Sequence, residues 1–259
     1  MNIGIIGAGA IANTMLERIN HDAHENLRIN SVLVRDKEKY QHLEGEYGIS
    51  LHTDLGYFLD SDVDIVVEAA NVEVAKSVLP EVMRKKDAML ISVGALAEGE
   101  FVAELMQIAK TNGRTLHLPS GAIGGLDLIQ NVQSHGELES VTLTTRKPAV
   151  ALTYETVASE KAVFEGKAID AIKHFPKNMN VAIILAMAGI GMERTHVTLI
   201  ADPSTDRNTH QIEVKGAFGR ASFTIENEPL PENHNTSYLA AISILGTLER
   251  MNRNFVIGG

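Results

Sequence analysis

The residues Gly7-Ala8-Gly9-Ala10-Ile11-Ala12 stand directly after an apolar run at 2–6 and open a helix-like stretch. The pattern is GxGxxA, that of a turn receiving the pyrophosphate of a dinucleotide. Gly7 allows the tight turn, Gly9 lets the backbone approach the phosphates, and Ala12 lets helix pack closely on strand. The helix beginning at Ala10 and Ile11 presents free N–H groups and the positive end of its dipole to those phosphates. At the end of the next apolar run stand Arg35 and Asp36. An acid there bonds the ribose 2′-hydroxyl of NAD, whereas an arginine pairs with the 2′-phosphate of NADP or stacks on adenine. The chain has one of each, so NAD and NADP both stay open.

Ten histidines are available, and His210 stands apart from the rest. Strict alternation in its segment puts His210, Ile212 and Val214 on one face and Gln211, Glu213 and Lys215 on the other. A polar loop at 202–209 precedes it, which sets His210 at the mouth of a strand. There an imidazole with its ordinary pKa near neutrality suits acid/base work; a hydrogen-bonded core imidazole is the other reading of the same pattern. Asn178 is placed to cap the apolar helix that follows, and Asn180 lies in its first turn, where an amide reaches a nicotinamide or its ribose. Arg146 and Lys147 end a strand-like segment. These two, with Lys177, Arg207 and Arg220, are the cations of the second half that could receive a substrate carboxylate.

Positioning these groups requires two domains. The first half alternates strand-like runs near 2–6, 29–34, 63–68, 88–93 and 115–118 with helical stretches near 11–20, 37–47, 72–85 and 99–111. That is a series of βαβ units on a parallel sheet. After residue 118 the texture changes to strand-like segments (VTLTTRKP, THVTLIAD, HQIEVKG, ASFTIE) around one helix near 178–191, with a hairpin loop at 216–219. Residues 227–235 read as a linker by composition. A last helix at 236–250, with Leu239, Ile242, Leu245 and Leu248 at helical spacing, needs an apolar partner and is expected to return to the first domain. The expected fold is α/β, with an N-terminal Rossmann dinucleotide-binding domain (1–118 plus 236–259) and an α+β catalytic and oligomerisation domain (119–235).

Composition narrows the partners. Of 259 residues, 23 are Lys or Arg and 33 are Asp or Glu, a formal charge of −10. Without a basic block such a chain is a poor ligand for nucleic acid, and an anionic substrate requires a local reversal of sign. Cysteine is absent, which removes disulfides, thiolate metal sites and cysteine nucleophiles together; no metal is expected. The apolar run at 181–190 is about half a bilayer span, and the amino terminus lacks the basic region of a signal peptide. A cytoplasmic location without membrane attachment is the expectation.

The motifs taken together resemble the L-aspartate dehydrogenase family. They are the GxGxxA at 7–12, SGAIGGLD at 120–127, TRKP at 145–148, FPKNMNVA at 175–182, ADPS at 201–204 and NTH at 208–210. The resemblance runs in order over nearly the whole chain. It implies NAD(P)-dependent oxidative deamination of L-aspartate to iminoaspartate, which can feed quinolinate and NAD synthesis. It also implies that His210 is catalytic, that Ala122 and Asn180 contact the cofactor, and that the protein is a homo-oligomer, a dimer or tetramer. Lys147, Lys177, Asn178 and Thr209 are the expected substrate contacts. Gly124 departs from an Ala common in the family, and Ala149 stands where a second Pro would follow Lys147 and Pro148. A homoserine-dehydrogenase-like enzyme and a non-catalytic NAD(P)-binding sensor or scaffold are the competing readings. Related two-domain enzymes that need a His-His pair, a Glu-Lys-Pro after the fifth strand or a nucleophilic Cys lack those residues here.

Overall fold

The computed structural model describes residues 1–153, 157–231, 233–255 and 257, with backbone alone at 177, 234 and 235. The chain forms two units: Met1–Pro119 with Ile244–Phe255, and a second built on Ser120–Ser243.

The first unit runs β1 (Asn2–Ile6), α1 (Ala10–Leu16), β2 (Arg28–Leu33), α2 (Lys37–Tyr40), α3 (His42–Tyr47), β3 (Ser50–His52), α4 (Leu55–Leu59), β4 (Ile65–Glu68), α5 (Val72–Lys85), β5 (Asp87–Leu90), α6 (Gly99–Asn112) and β6 (Leu116–His117). Its six strands lie in the order β3-β2-β1-β4-β5-β6, and every pair is parallel. This is the doubly wound order of dinucleotide-binding folds. Its direction reverses between β1 and β4, so a crevice opens beyond the carboxyl ends of those two strands. All four residues of β4 are buried, as a central parallel strand covered on both faces requires. β3 and α4 were not legible in sequence. A three-residue strand shows no alternation, and α4 is a five-residue turn whose start is set by Asp54 accepting from the Tyr57 N–H at 3.0 Å.

The second unit runs α7 (Leu126–Ser134), β7 (Leu138–Pro148), α8 (Ala149–Leu152), β8 (Lys161–Lys167), α9 (Ala168–His174), α10 (Asn180–Ala188), β9 (His196–Asp202), β10 (Asn208–Gly216), β11 (Gly219–Asn227), β12 (Pro229–Leu230) and β13 (Asn233–Ser237), then enters α11 (Tyr238–Met251). Its main sheet has the order β11-β10-β7-β9-β8. Only β7 and β9 are parallel, as expected of an α+β unit. Along β10, His210, Ile212 and Val214 are buried while Gln211, Glu213 and Lys215 are exposed, so the predicted phase holds. The stretch expected as a linker instead pairs β12 with β13. Buried Asn227 anchors it by accepting from the Ser237 hydroxyl and donating to the Ala122 carbonyl.

The last helix docks on the first unit at a phase slightly rotated from the predicted one. Ile244 and Leu248 are fully buried in the same core as Ile3, Ile5, Met15 and Val67. Ile242, expected on the buried face, is among the exposed large apolar residues.

Candidate functional site

In the first unit the carboxyl ends of β1 and β4 border a cavity of about 760 Å³, whose walls include Gly7, Gly9, Arg35, Asp36, Ala70 and Asn71. Gly7 has φ +102°, and its N–H donates to the Leu33 carbonyl at 2.9 Å. A Cβ on Gly7 would lie 2.9 Å from the Ala69 carbonyl oxygen, so the fold itself demands glycine there. Gly9 differs. A Cβ on it would meet nothing within 4 Å, so no protein contact accounts for the missing side chain. Gly9 is also the N-cap of α1, and no side chain caps the helix start, which leaves first-turn N–H groups for a ligand oxygen. Ala10 and Ile11 are half-buried, and Ala12 is buried against the sheet. The residues present fit a pyrophosphate.

Arg35 is exposed at the cavity wall and has no hydrogen bond or ion pair among the described residues. Asp36 is partly committed: its Oδ1 accepts the Lys39 N–H at 3.2 Å and so caps α2. Sequence reasoning missed Glu68. This carboxyl, fully buried at the end of β4, accepts from the Ala70 N–H at 2.8 Å and from the Ser92 N–H and hydroxyl at 3.0 Å each. Burial pushes its pKa up, against these donors, which hold it down. It pins the 69–71 loop that walls the cavity. The signal was an acid inside the otherwise apolar VDIVVEAA.

In the second unit four polar side chains converge on the buried face of the sheet. His210 on β10 lies opposite Thr145 on β7, and its Nδ1 is 3.0 Å from the Thr145 hydroxyl. Lys147, two residues along the same face of β7, donates to the Asn178 amide oxygen at 2.9 Å. Asn178 lies in a short 3₁₀ turn, Pro176–Asn178, ahead of α10. It is not the helix cap expected from sequence, because the N-cap is Met179 and no side chain caps α10. His210 is 3% exposed, not open at a strand mouth. Burial, reinforced by the charge of Lys147, pushes its pKa down to about 3, so the expected near-neutral titration is not a property of the unliganded site. Among the described residues its one hydrogen bond engages Nδ1. When Nδ1 carries the proton toward Thr145, the lone pair at Nε2 is left for a ligand.

The remaining expected residues are more scattered. Thr209 pairs with Arg146 in the register of β10 and β7, one position out of phase with His210 and hence on the opposite face. Asn180 is exposed at the start of α10. Ala122 is half-buried, its carbonyl held by Asn227 at 3.1 Å. The Lys177 side chain lies outside the described residues. Arg146 is neutralised by Glu160 and by Asp202 at 2.8 Å. Arg207 is bound by Asp206 at 3.2 Å and Glu228 at 2.6 Å.

A doubly wound unit with a glycine-lined phosphate turn, followed by an α+β unit carrying a buried His–Lys cluster, defines an NAD(P)-dependent oxidoreductase. Residues 127–251 match the family model for the aspartate dehydrogenase C-terminal region, and residues 7–119 that for the homoserine dehydrogenase NAD-binding domain. The chain is 38% identical to the L-aspartate dehydrogenase of Methanosarcina barkeri, over 97% of each chain. It is 36% identical to that of Methanopyrus kandleri, over 100% of this chain and 98% of the relative. The crystal structure of aspartate dehydrogenase from Thermotoga maritima superposes with TM-score 0.80 at 29% identity, covering 100% of this chain and 99% of that one. The chain belongs to the L-aspartate dehydrogenase family.

Proposed function

We propose that this protein oxidises L-aspartate to iminoaspartate with NAD(P), the imine then hydrolysing to oxaloacetate and ammonia. The observation that carries the reading is His210: an imidazole anchored through one nitrogen, with no partner for the other among the described residues, in a chain that matches aspartate dehydrogenases along its length. The division of labour follows the expected domains, residues 1–118 with 236–259 holding the dinucleotide and 119–235 the amino acid. Gly7, Gly9, Ala10, Ile11 and Ala12 would receive the pyrophosphate, Arg35 and Asp36 the adenosine ribose or its 2′-phosphate, and Ala122 and Asn180 the nicotinamide end. When bound, the nicotinamide supplies the hydride acceptor for Cα of the substrate.

The work left to the protein is to take one proton from the substrate ammonium and to manage the water that adds to the imine. His210 Nε2 is the base for both, with Thr145 fixing the ring through Nδ1. Buried surroundings keep the imidazole neutral, hence competent to accept a proton. The negative charge of a bound dicarboxylate opposes the field of Lys147 and raises the proton affinity of the ring as substrate arrives.

The product imine is a direct chemical precursor for quinolinate, and a role in supplying NAD synthesis follows from that. A cytoplasmic setting, where NAD(P) pools lie, fits the same role. Homo-oligomeric assembly, as a dimer or tetramer, is part of the same reading and rests on the family resemblance; light scattering tests it. The function is tested by following reduced nicotinamide with L-aspartate as substrate and L-homoserine as control. Turnover of homoserine alone would move the chain to the homoserine-dehydrogenase reading suggested by its first unit. Cofactor binding without turnover of either would make it a sensor.

A further inference from the structure

The second unit has several cations, and the structure separates them by whether their charge is already answered. Arg146 has Asp202 and Glu160, Arg207 has Asp206 and Glu228, and Lys167 has Glu193 at 3.1 Å. Among the described residues Lys147 has no carboxylate; Arg194, Lys215 and Arg220 also lack one there, but all three are exposed. The one hydrogen bond that the described residues give Lys147 goes to a neutral amide oxygen, Asn178 Oδ1, at 2.9 Å. An ammonium has three N–H donors, so two are unfilled by the described residues. The residue is half-buried on the apolar-facing side of β7, in line with Thr145 and beside His210. Desolvation of a cation without an anion is costly, and burial correspondingly pushes the Lys147 pKa down. Asn178, placed by its 3₁₀ turn, donates its own amide N–H to the Ala151 carbonyl at 3.5 Å. That bond turns its oxygen toward Lys147 and fixes the ammonium within the cluster.

We propose that Lys147 is the cation that receives a substrate carboxylate, with Asn178 as its positioning residue. This inference deepens the function proposed above and rests on it for the identity of the amino acid. A carboxylate set against Lys147 supplies the missing counter-charge in a chain that is acidic overall. It also brings the substrate to the His210 ring nitrogen that has no partner among the described residues.

The test compares wild type with Lys147→Met and Lys147→Arg in the full chain. Succinate, a four-carbon dicarboxylate without the reacting amine, is titrated by calorimetry, and KM and kcat are measured with L-aspartate. For Lys147→Met, succinate affinity is expected to fall about 10- to 100-fold, the worth of one charge-assisted hydrogen bond. KM should rise by a similar factor, with a smaller change in kcat and no change in NADP affinity. Lys147→Arg should recover part of the loss. The ligand-free Met variant should melt no lower than wild type, because an unanswered buried cation has been removed; a purely structural lysine would lower the melting temperature instead. Unchanged succinate affinity and KM in the Met variant would overturn the proposal while leaving aspartate oxidation intact, as would a wild type that turns over aspartate yet binds no succinate. If wild type binds succinate through Lys147 but does not oxidise aspartate, the function is wrong and the carboxylate site stands.

Discussion

His210 meets two obstacles to protonation, its burial and the neighbouring Lys147 charge, and both have measurable consequences. In the unfolded chain its imidazole takes up a proton near its ordinary 6.5, in the folded chain only near 3. Between those values the unfolded state binds more protons, so stability falls as pH drops through that window, by up to about 1.4 kcal/mol per pH unit. His52 and His117, whose pKa values are also lowered by burial, act in the same direction. Denaturant unfolding at pH 7 and pH 5 should show wild type losing stability, and His210→Asn should lose less over the same interval. The Asn variant should also turn over more slowly, by roughly 10²–10⁴-fold in kcat, with NADP affinity unchanged. An Asn variant with wild-type kcat would make His210 a packing residue. Because the free enzyme's imidazole is neutral throughout the neutral range, kcat/KM should show no inflection from it between about pH 5 and 8.

At the scale of elements, the turn between β1 and α1 contains two glycines that are glycine for different reasons. Gly7 sits at positive φ with the Ala69 carbonyl where a Cβ would go; Gly9 faces open space. Gly7→Val should therefore lower the melting temperature, with backbone strain alone worth about 1–3 kcal/mol. Gly9→Val should melt like wild type and fail to bind NAD or NADP, because the isopropyl group occupies the room left for pyrophosphate. Normal affinity in a folded Gly9→Val protein would refute the dinucleotide assignment of that turn. The end of β2 sets the choice between cofactors. With Asp36 engaged in capping α2 and Arg35 without a partner among the described residues, Arg35→Ala should weaken NADP by about 1.5–3 kcal/mol and leave NAD nearly untouched. Equal losses for both in calorimetry would assign Arg35 to the adenine instead.

Across the whole molecule, α11 completes the first unit from the far end of the chain. Ile244 and Leu248 are both fully buried in that unit's core, so Leu248→Ala should cost about 2–5 kcal/mol, seen in thermal unfolding and partly recovered by saturating NADP. The amino-acid sequence by itself determined five of the first unit's six strands and its glycine turn, because buried parallel strands read as continuous apolar runs and a phosphate turn needs glycines at fixed offsets. It determined the face of β10 that His210 shares with Ile212 and Val214, because a strand has period two. What only the tertiary structure decided is electrostatic and non-local. Whether His210 titrates depends on Lys147 and on desolvation contributed by other strands. Which half-buried strand-end cation has its charge answered depends on carboxylates such as Asp202, brought to Arg146 from elsewhere in the chain while the described residues bring none to Lys147. The tail of β11, read as a linker from its prolines and asparagines, became structure because Asn227 reaches back to Ala122 and forward to Ser237. Spacing along a chain records periodicity; the sum of charges and hydrogen bonds around one atom exists only after distant segments have met.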